Sequence, residues 1–381
     1  MTGAFICEAV RSPIGKRKGA LSATRADDLL GDVLKGLVAR AEIEPAAVED
    51  VITGCVTQIG EQGWNIGRMG VLAAGFPVSV CGTTVNRQCG SSLQTTNFGA
   101  QAIIAGQADL VISAGVESMT RMIMGTDGGD VSPRIMEKYS IIPQGYSAEM
   151  IAAQWKITRE QLDEYSWNSH QRALHAQREG WFENEILPLA ITTPEGEEIT
   201  FSVDQTPRDS PLEKVASLPP AFNPDGVITA GNASQICDGS AALLLASEAG
   251  IAANNLTPRA RIVSTGLAGV DPTIMLTGNP AAMQRALTRA GLTLDDMGVI
   301  EVNEAFAVVA LQTMHDLNLT ERYADFNPVG GGISLGHPLG ATGCRILATM
   351  LNEMERRDVR YGIASACIGF GMAIATIIER V

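Results

Sequence analysis

Positive charge is in short supply: 28 Lys and Arg stand against 42 Asp and Glu in 381 residues, a net charge of −14. Phosphate backbones are bound by clustered Lys and Arg, so nucleic acid is excluded as the main partner. One anionic small molecule can still be held by a local basic patch. Only four histidines occur (His170, His175, His315 and His337), and none has metal-ligand spacing. The seven cysteines form no CxxC pair and are odd in number, which points to reduced thiols in a reducing compartment rather than to a disulfide framework. No apolar run is long enough to span a bilayer. Glu8 cuts the first apolar stretch short of a signal-peptide core, so a cytoplasmic location is expected. Aromatics make up only 5%.

What is present is 45% hydrophobic residues and 40 glycines, a composition that suits an α/β protein with many tight turns. The length implies two or three domains. Strands are expected at 3–10, 48–56, 83–86, 108–115, 298–302 and 361–367. Helices are expected over 65–74, 91–105, 159–179, 281–290, 305–317 and 341–356. A further helix is expected from the spacing of Leu29, Leu30, Val33, Leu34, Leu37 and Val38, with Thr24 or Asp27 as its cap. Alternating strands and helices predict a mostly parallel sheet covered on both faces. From Thr120 to about Ser234 the chain is more polar and richer in loops, as an inserted domain would be. Asp50-Val51-Ile52 precedes Ser113-Ala114-Gly115 by about the separation between Gly298-Val299-Ile300 and Ser365-Ala366-Cys367. Each pair brackets a glycine-rich turn and a long helix, consistent with one duplicated βαβ-type half.

The stretch Asn86-Arg87-Gln88-Cys89-Gly90-Ser91-Ser92 places Cys89 between an expected strand and an expected helix. A thiol there faces unpaired N–H groups and the positive end of the helix dipole, which favours the thiolate. Taken alone, a lone cysteine is more often simply packed. Gly336-His337-Pro338 lies in a loop before the last helix, and Cys367 ends an apolar strand. Asn303-Glu304-Ala305-Phe306 opens a helix, where a cap with Glu in the first turn is a sufficient alternative explanation. Gly332-Ile333-Ser334-Leu335-Gly336 matches a GxSxG nucleophile elbow, but no strand precedes it and the only later histidine is three residues on. It is not a GxGxxG dinucleotide fingerprint either.

The four motifs around Cys89, Asn303, His337 and Cys367 together resemble the active-site motifs of the thiolase family, in the family's order and over nearly the whole chain. The resemblance implies duplicated βαβαβ halves in a layered α/β/α/β/α core with an inserted loop domain. The halves would be 1–119 plus 236–258 and 259–381, and the insert 120–235. It implies CoA-dependent cleavage of 3-oxoacyl-CoA to acetyl-CoA and a shortened acyl-CoA, or the reverse Claisen condensation, by a ping-pong route. Cys89 would carry the acyl group. His337 would take its proton and, with a water held by Asn303, polarise a thioester carbonyl. Cys367 would move the proton at the acetyl α-carbon. The N–H groups of Cys89 and Gly369 would form a second oxyanion hole.

The loop Thr229-Ala230-Gly231-Asn232-Ala233-Ser234 resembles the family's CoA contact loop. Ser234, Ala233 and Arg208 would touch CoA, with Lys214 near a position that is often serine, while Ala305 and Phe306 would line the acyl pocket. The family implies CoA and acyl-CoA as substrates, no permanently bound cofactor, no metal, no nucleic-acid or membrane partner, and a homodimer or homotetramer. The chain departs from the pattern at Ser92, Val329, Phe370 and Ala373, and at Pro143-Gln144. Two other readings share parts of the pattern: an acyl-CoA-binding protein of low activity, and a ketoacyl-synthase-type condensing enzyme. The latter is not expected to carry Cys367 or the Asn303-Glu304-Ala305-Phe306 motif.

Overall fold

The computed structural model describes residues 3–381. Nine strands, numbered here in chain order, build the main sheet: β1 (Phe5–Arg11), β2 (Asp50–Gly54), β3 (Cys81–Val85), β4 (Leu110–Ser118), β5 (Cys237–Ala246), β6 (Ala260–Gly269), β7 (Met297–Val302), β8 (Tyr361–Ile368) and β9 (Met372–Arg380). A two-residue strand, Gly15–Lys16, adds to β5 as the tenth. The spatial order is β7-β8-β9-β6-β1-β5-β4-β2-β3.

Only the β2–β3, β2–β4 and β7–β8 pairs are parallel; the remaining pairs are antiparallel, so the sheet is not mostly parallel. The reason is in the connections. β8 and β9 are joined by the turn Gly369-Phe370-Gly371, which returns the chain beside itself, and no helix crosses over. β5 comes back antiparallel to β4 after the long polar segment.

The sheet changes halves at a seam only two residue pairs long, Phe5–Arg261 and Ile6–Ala260. Outward from the seam one half runs through its first, fifth, fourth, second and third strands. The other runs β6, β9, β8, β7 and then a single parallel bridge from Ile300 to Phe326. Hydrogen bonds from Ile300 N to Asp325 O and from Asn327 N to Ile300 O, both 2.9 Å, flank that bridge. The bridge stands where the third strand would be, so both halves follow one strand order.

β4 and β5 are buried at every position, as continuous apolar runs covered on both faces must be. Val10, Val51, Ile112 and Leu244 pack with the helix Ala26–Arg40 on one outer face. Their neighbours Ala9, Ile52, Val111 and Leu243 face inward, onto the helices Ser91–Ile104 and Thr342–Arg356. On the other side Ile300, Val302, Ile363 and Ile377 pack with Asn279–Ala290 and Ala307–Asp316. The layers are therefore helix, sheet, two central helices, sheet, helix. Residues between β4 and β5 add no strand to this sheet; they form the helices Gln144–Trp155 and Arg159–Arg178 and the hairpin Leu189–Thr192 with Glu198–Phe201.

Two local expectations are corrected. Neither Thr24 nor Asp27 caps the first long helix: Arg25 occupies the N-cap, and Asp27 receives its guanidinium at 2.7 Å. The helix expected from Ala305 begins at Ala307, because Phe306 is bridged to Ala233 and the Ala305 carbonyl accepts from Ser234 N at 3.0 Å.

Candidate active site

Cys89 sits in a single 3₁₀ turn, Gln88–Gly90, between β3 and the Ser91 helix. The turn is held by short polar contacts: Gln88 N donates to Asn86 Oδ1 (2.9 Å), and Ser91 Oγ donates to Gln88 O (2.6 Å). Gln88 adopts φ +45°, a left-handed conformation that a side chain tolerates only when its surroundings fix it. Cys89 is buried with Val56, Met119 and Leu339, the last only two residues beyond His337.

His337 is 3% exposed. Thr342 Oγ1 spends its proton on Pro338 O (2.9 Å) and so accepts from His337 Nδ1 at 2.6 Å. That arrangement suits the tautomer with its proton on Nδ1, in which Nε2 is the accepting nitrogen. Nε2 lies 3.2 Å from the Asn303 side-chain nitrogen. The beginnings of the two central helices meet here, with Cys344 N donating to Ser92 Oγ at 3.0 Å. Ser92 thus supplies an acceptor between the two helices.

Cys367 is fully buried at the end of β8, close enough to Cys89 that a negative charge on one sulfur would raise the pKa of the other. Gly369 presents its N–H to the Cys89 sulfur. Cys89, Cys367 and the Gly369 N–H are thus brought together, and the His337–Asn303 pair lies on the adjoining loop, whose Leu339 packs against Cys89.

The electrostatics correct the thiolate expectation. Burial pushes the Cys89 thiol up to about 11, against the opposing pull of the Cys89 and Gly369 N–H groups. Burial, together with the nearby Arg345 charge, lowers His337 to about 3. Burial and the neighbouring Cys89 push Cys367 up. These shifts favour a resting state of thiol, neutral imidazole and thiol, with Nε2 accepting from Asn303 Nδ2.

The reading of Glu304 as a first-turn cap fails. Glu304 is fully buried and accepts from Tyr165 Oη (2.8 Å), Ser169 Oγ (2.8 Å), Asn327 Nδ2 (3.1 Å) and Ile333 N (3.1 Å). It ties Asn303 to the glycine run before His337. Nothing in the sequence marks Thr342, five residues past His337, or Gln235, whose role depends on contacts between distant segments.

Arg208 and Lys214 are exposed on the wall of a cavity of 140 Å³, which Ala233, Gln235 and Ile333 also line. Arg208 Nη2 donates to Gln235 Oε1 at 2.8 Å, and Gln235 Nε2 donates to Thr206 O (2.7 Å) and Ile333 O (2.8 Å). Ser234, Ala305 and Phe306 are not on that wall, but Ala233 pairs with Phe306 and Ser234 with Ala305. The cavity and the Asn303 segment are thereby welded together. A larger cavity of 450 Å³, lined by Arg40, Phe182 and Glu183 among others, contains none of these residues, and its chemistry does not match the motifs. Among the described residues no group of three or more His, Cys, Asp or Glu could hold a metal ion. No helix there is long and apolar enough to cross a membrane.

Comparison with known proteins gives matches along the full length. The family model described as "Thiolase, N-terminal domain" matches residues 4–249, and "Thiolase, C-terminal domain" matches 256–380. A steroid 3-ketoacyl-CoA thiolase of Mycobacterium tuberculosis is 46% identical, covering 100% of this chain and 95% of the relative. A beta-ketoadipyl-CoA thiolase of Acinetobacter baylyi is 43% identical with 100% of both covered. Among solved structures, a Bacillus anthracis acetyl-CoA acetyltransferase superposes with a TM-score of 0.91 at 39% identity, covering 100% of this chain and 99% of the other. Human mitochondrial 3-ketoacyl-CoA thiolase gives 0.91 at 37%, with the same coverage.

Proposed function

The chain belongs to the thiolase family and is a CoA-dependent acyltransferase, and from that premise we propose how its residues divide the reaction. The Cys89 thiol gives its proton to His337 Nε2 as the sulfur adds to the keto carbon of a 3-oxoacyl-CoA. The oxyanion that forms there is received by the N–H groups of Cys89 and Gly369. The bond between the α-carbon and the former keto carbon breaks, releasing the enolate of acetyl-CoA, whose oxygen faces His337 and a water held by Asn303. Cys367 protonates the α-carbon and becomes a thiolate. Incoming CoA passes its thiol proton to Cys367 and attacks the Cys89 thioester. Cys89 leaves with the proton stored on His337, and every group returns to its starting state. Each preorganised donor contributes a few kcal/mol, roughly 2.7–4 for an oxyanion-hole hydrogen bond.

The observation that carries this reading is the pair of polar contacts on His337, Nδ1 with Thr342 Oγ1 at 2.6 Å and Nε2 with Asn303 Nδ2 at 3.2 Å. With Thr342 Oγ1 accepting from Nδ1, Nε2 is the acceptor facing Asn303 and the group that would take the Cys89 proton.

Arg208, Lys214, Ala233 and Ser234 are assigned to CoA, with Arg208 and Lys214 supplying the local positive charge that an otherwise acidic protein needs. Ala305 and Phe306 are assigned to the acyl pocket, where Phe222 packs edge-on against Phe306 at 6.0 Å. The division into 1–119 plus 236–258, 120–235 and 259–381 is part of the same proposal. So are a cytoplasmic location, no permanently bound cofactor, and a homodimer or homotetramer. β3 is the outermost strand of its half, with Trp64 and Val78 strongly exposed nearby, and such an edge favours pairing with a second copy.

The test is loss of the 3-oxoacyl-CoA enolate absorbance on adding CoA, across short, long, carboxylated and bulky acyl chains. Thiolysis of any of them that disappears in Cys89→Ala supports the proposal. Binding of acyl-CoA without turnover of any chain would replace it with the binding-protein reading.

A further inference from the structure

The proposed reaction takes its nucleophile from one half of the chain and its base from the other, so something must set the distance between them. Glu117, near the end of β4, is fully buried and is not among the reacting groups. Its Oε2 accepts from Val56 N and from Gly340 N, each at 2.9 Å. Its Oε1 accepts from Thr57 N at 3.0 Å and from Gln62 Nε2 at 2.8 Å. Gly340 is three residues beyond His337. On the other side, Val56 O accepts from Asn86 Nδ2 at 3.0 Å, and Asn86 Oδ1 accepts from Gln88 N at 2.9 Å. An unbroken run of hydrogen bonds therefore leads from the His337 loop, through one carboxylate, to the residue before Cys89.

The backbone around it leaves no slack. A Cβ on Gly115 would collide with Gly340 O, and one on Gly54 would lie 2.7 Å from it. The His337 loop thus rests directly on the ends of β2 and β4, and Glu117 bolts it there. A buried carboxylate with four donors is a costly way to satisfy backbone groups unless the position they fix matters.

We propose that Glu117 is a positioning residue that sets the His337 loop against the Cys89 turn for proton transfer. This rests on the roles of Cys89 and His337 given above. Glu117→Gln is the sharpest perturbation. Whichever way the new amide is turned, its NH₂ meets two N–H donors, and the bolt to Gly340 or to Gln62 is lost while size is kept. Misplacing reacting groups by about 1 Å costs on the order of 100-fold in rate. The expected result is a fall in kcat of about 10- to 100-fold, with KM for CoA unchanged, since the Arg208 cavity shares no lining residue with this relay. Asn86→Ala, at an exposed position where folding is not at stake, should lower kcat in the same way. The double variant should lose no more than the worse single.

Acetylation of wild-type Cys89 by acetyl-CoA is measured first, by mass spectrometry. Its absence would defeat the proposed reaction itself. If wild-type Cys89 is labelled, wild-type acetylation rates in folded Glu117→Gln and Asn86→Ala would overturn the positioning role alone, as would additive losses in the double variant. Should Glu117→Gln fail to fold, Asn86→Ala decides by itself: an unchanged kcat overturns the proposal.

Discussion

Replacing His337 with Asn should flatten the acid side of the stability curve, by an amount that follows from burial. His337 titrates at about 3 in the folded chain against 6.5 for a free imidazole, because burial and the Arg345 charge oppose protonation. Its folded pKa is depressed, so between those values the unfolded chain binds the extra proton. The stability contribution is complete above pH 6.5 and is lost progressively as pH falls toward 3. Between pH 7 and 5.5 the unfolded state gains close to one unit of protonation free energy, roughly 1.3 kcal/mol after subtracting what is already present at pH 7. His170, lowered to about 4 by burial and Arg208, acts in the same direction, so the difference between wild type and variant is the quantity to measure. Urea unfolding at both pH values and one protein concentration should show wild type losing about 1.3 kcal/mol more than His337→Asn. Parallel losses would mean that His337 titrates normally. Its imidazole would then be partly charged near neutral pH, and the account of a neutral base held ready for Cys89 would fail.

Cys367→Ala should leave acylation of Cys89 measurable while slowing solvent deuterium exchange at the acetyl α-carbon by about 100-fold or more, followed by NMR; undiminished exchange would remove Cys367 from its proton-transfer role. Arg208→Ala should raise KM for CoA about tenfold with little change in kcat. Pantetheine substrates lacking the nucleotide should not distinguish the variant from wild type. Arg11 is fully buried and donates to Glu185 at 2.5 Å and to Asp204 at 2.7 Å and 2.9 Å, pinning residues 185 and 204 to β1. Arg11→Met leaves two carboxylates without their counter-charge and should cost roughly 3–5 kcal/mol in urea unfolding.

The four motifs around Cys89, Asn303, His337 and Cys367 were legible in the sequence as a set, through their resemblance to the family, while none of them stands out alone. The duplication was legible too, through the matched spacing of two strand pairs. The sheet direction was not. Periodicity locates a strand but does not orient it, and β8 and β9 are turned against each other by three residues that read equally well as a strand end. Glu304 illustrates the same limit: in sequence it is an acidic residue near a helix start, while in space it collects four donors from three separate segments. The state of Cys89 was misjudged for an energetic reason. The helix-end field was visible from the sequence, but the desolvation that outweighs it appears only when Val56, Met119 and Leu339 close around the sulfur.

The most direct test of the account is to mix the enzyme with acetyl-CoA, quench, and map the label by peptide mass spectrometry. One acetyl group on the peptide containing Cys89, released again on adding CoA and missing in Cys89→Ala, is the expected result. Thiolysis that continues in Cys89→Ala, or an acetyl group carried by a different residue, would contradict it.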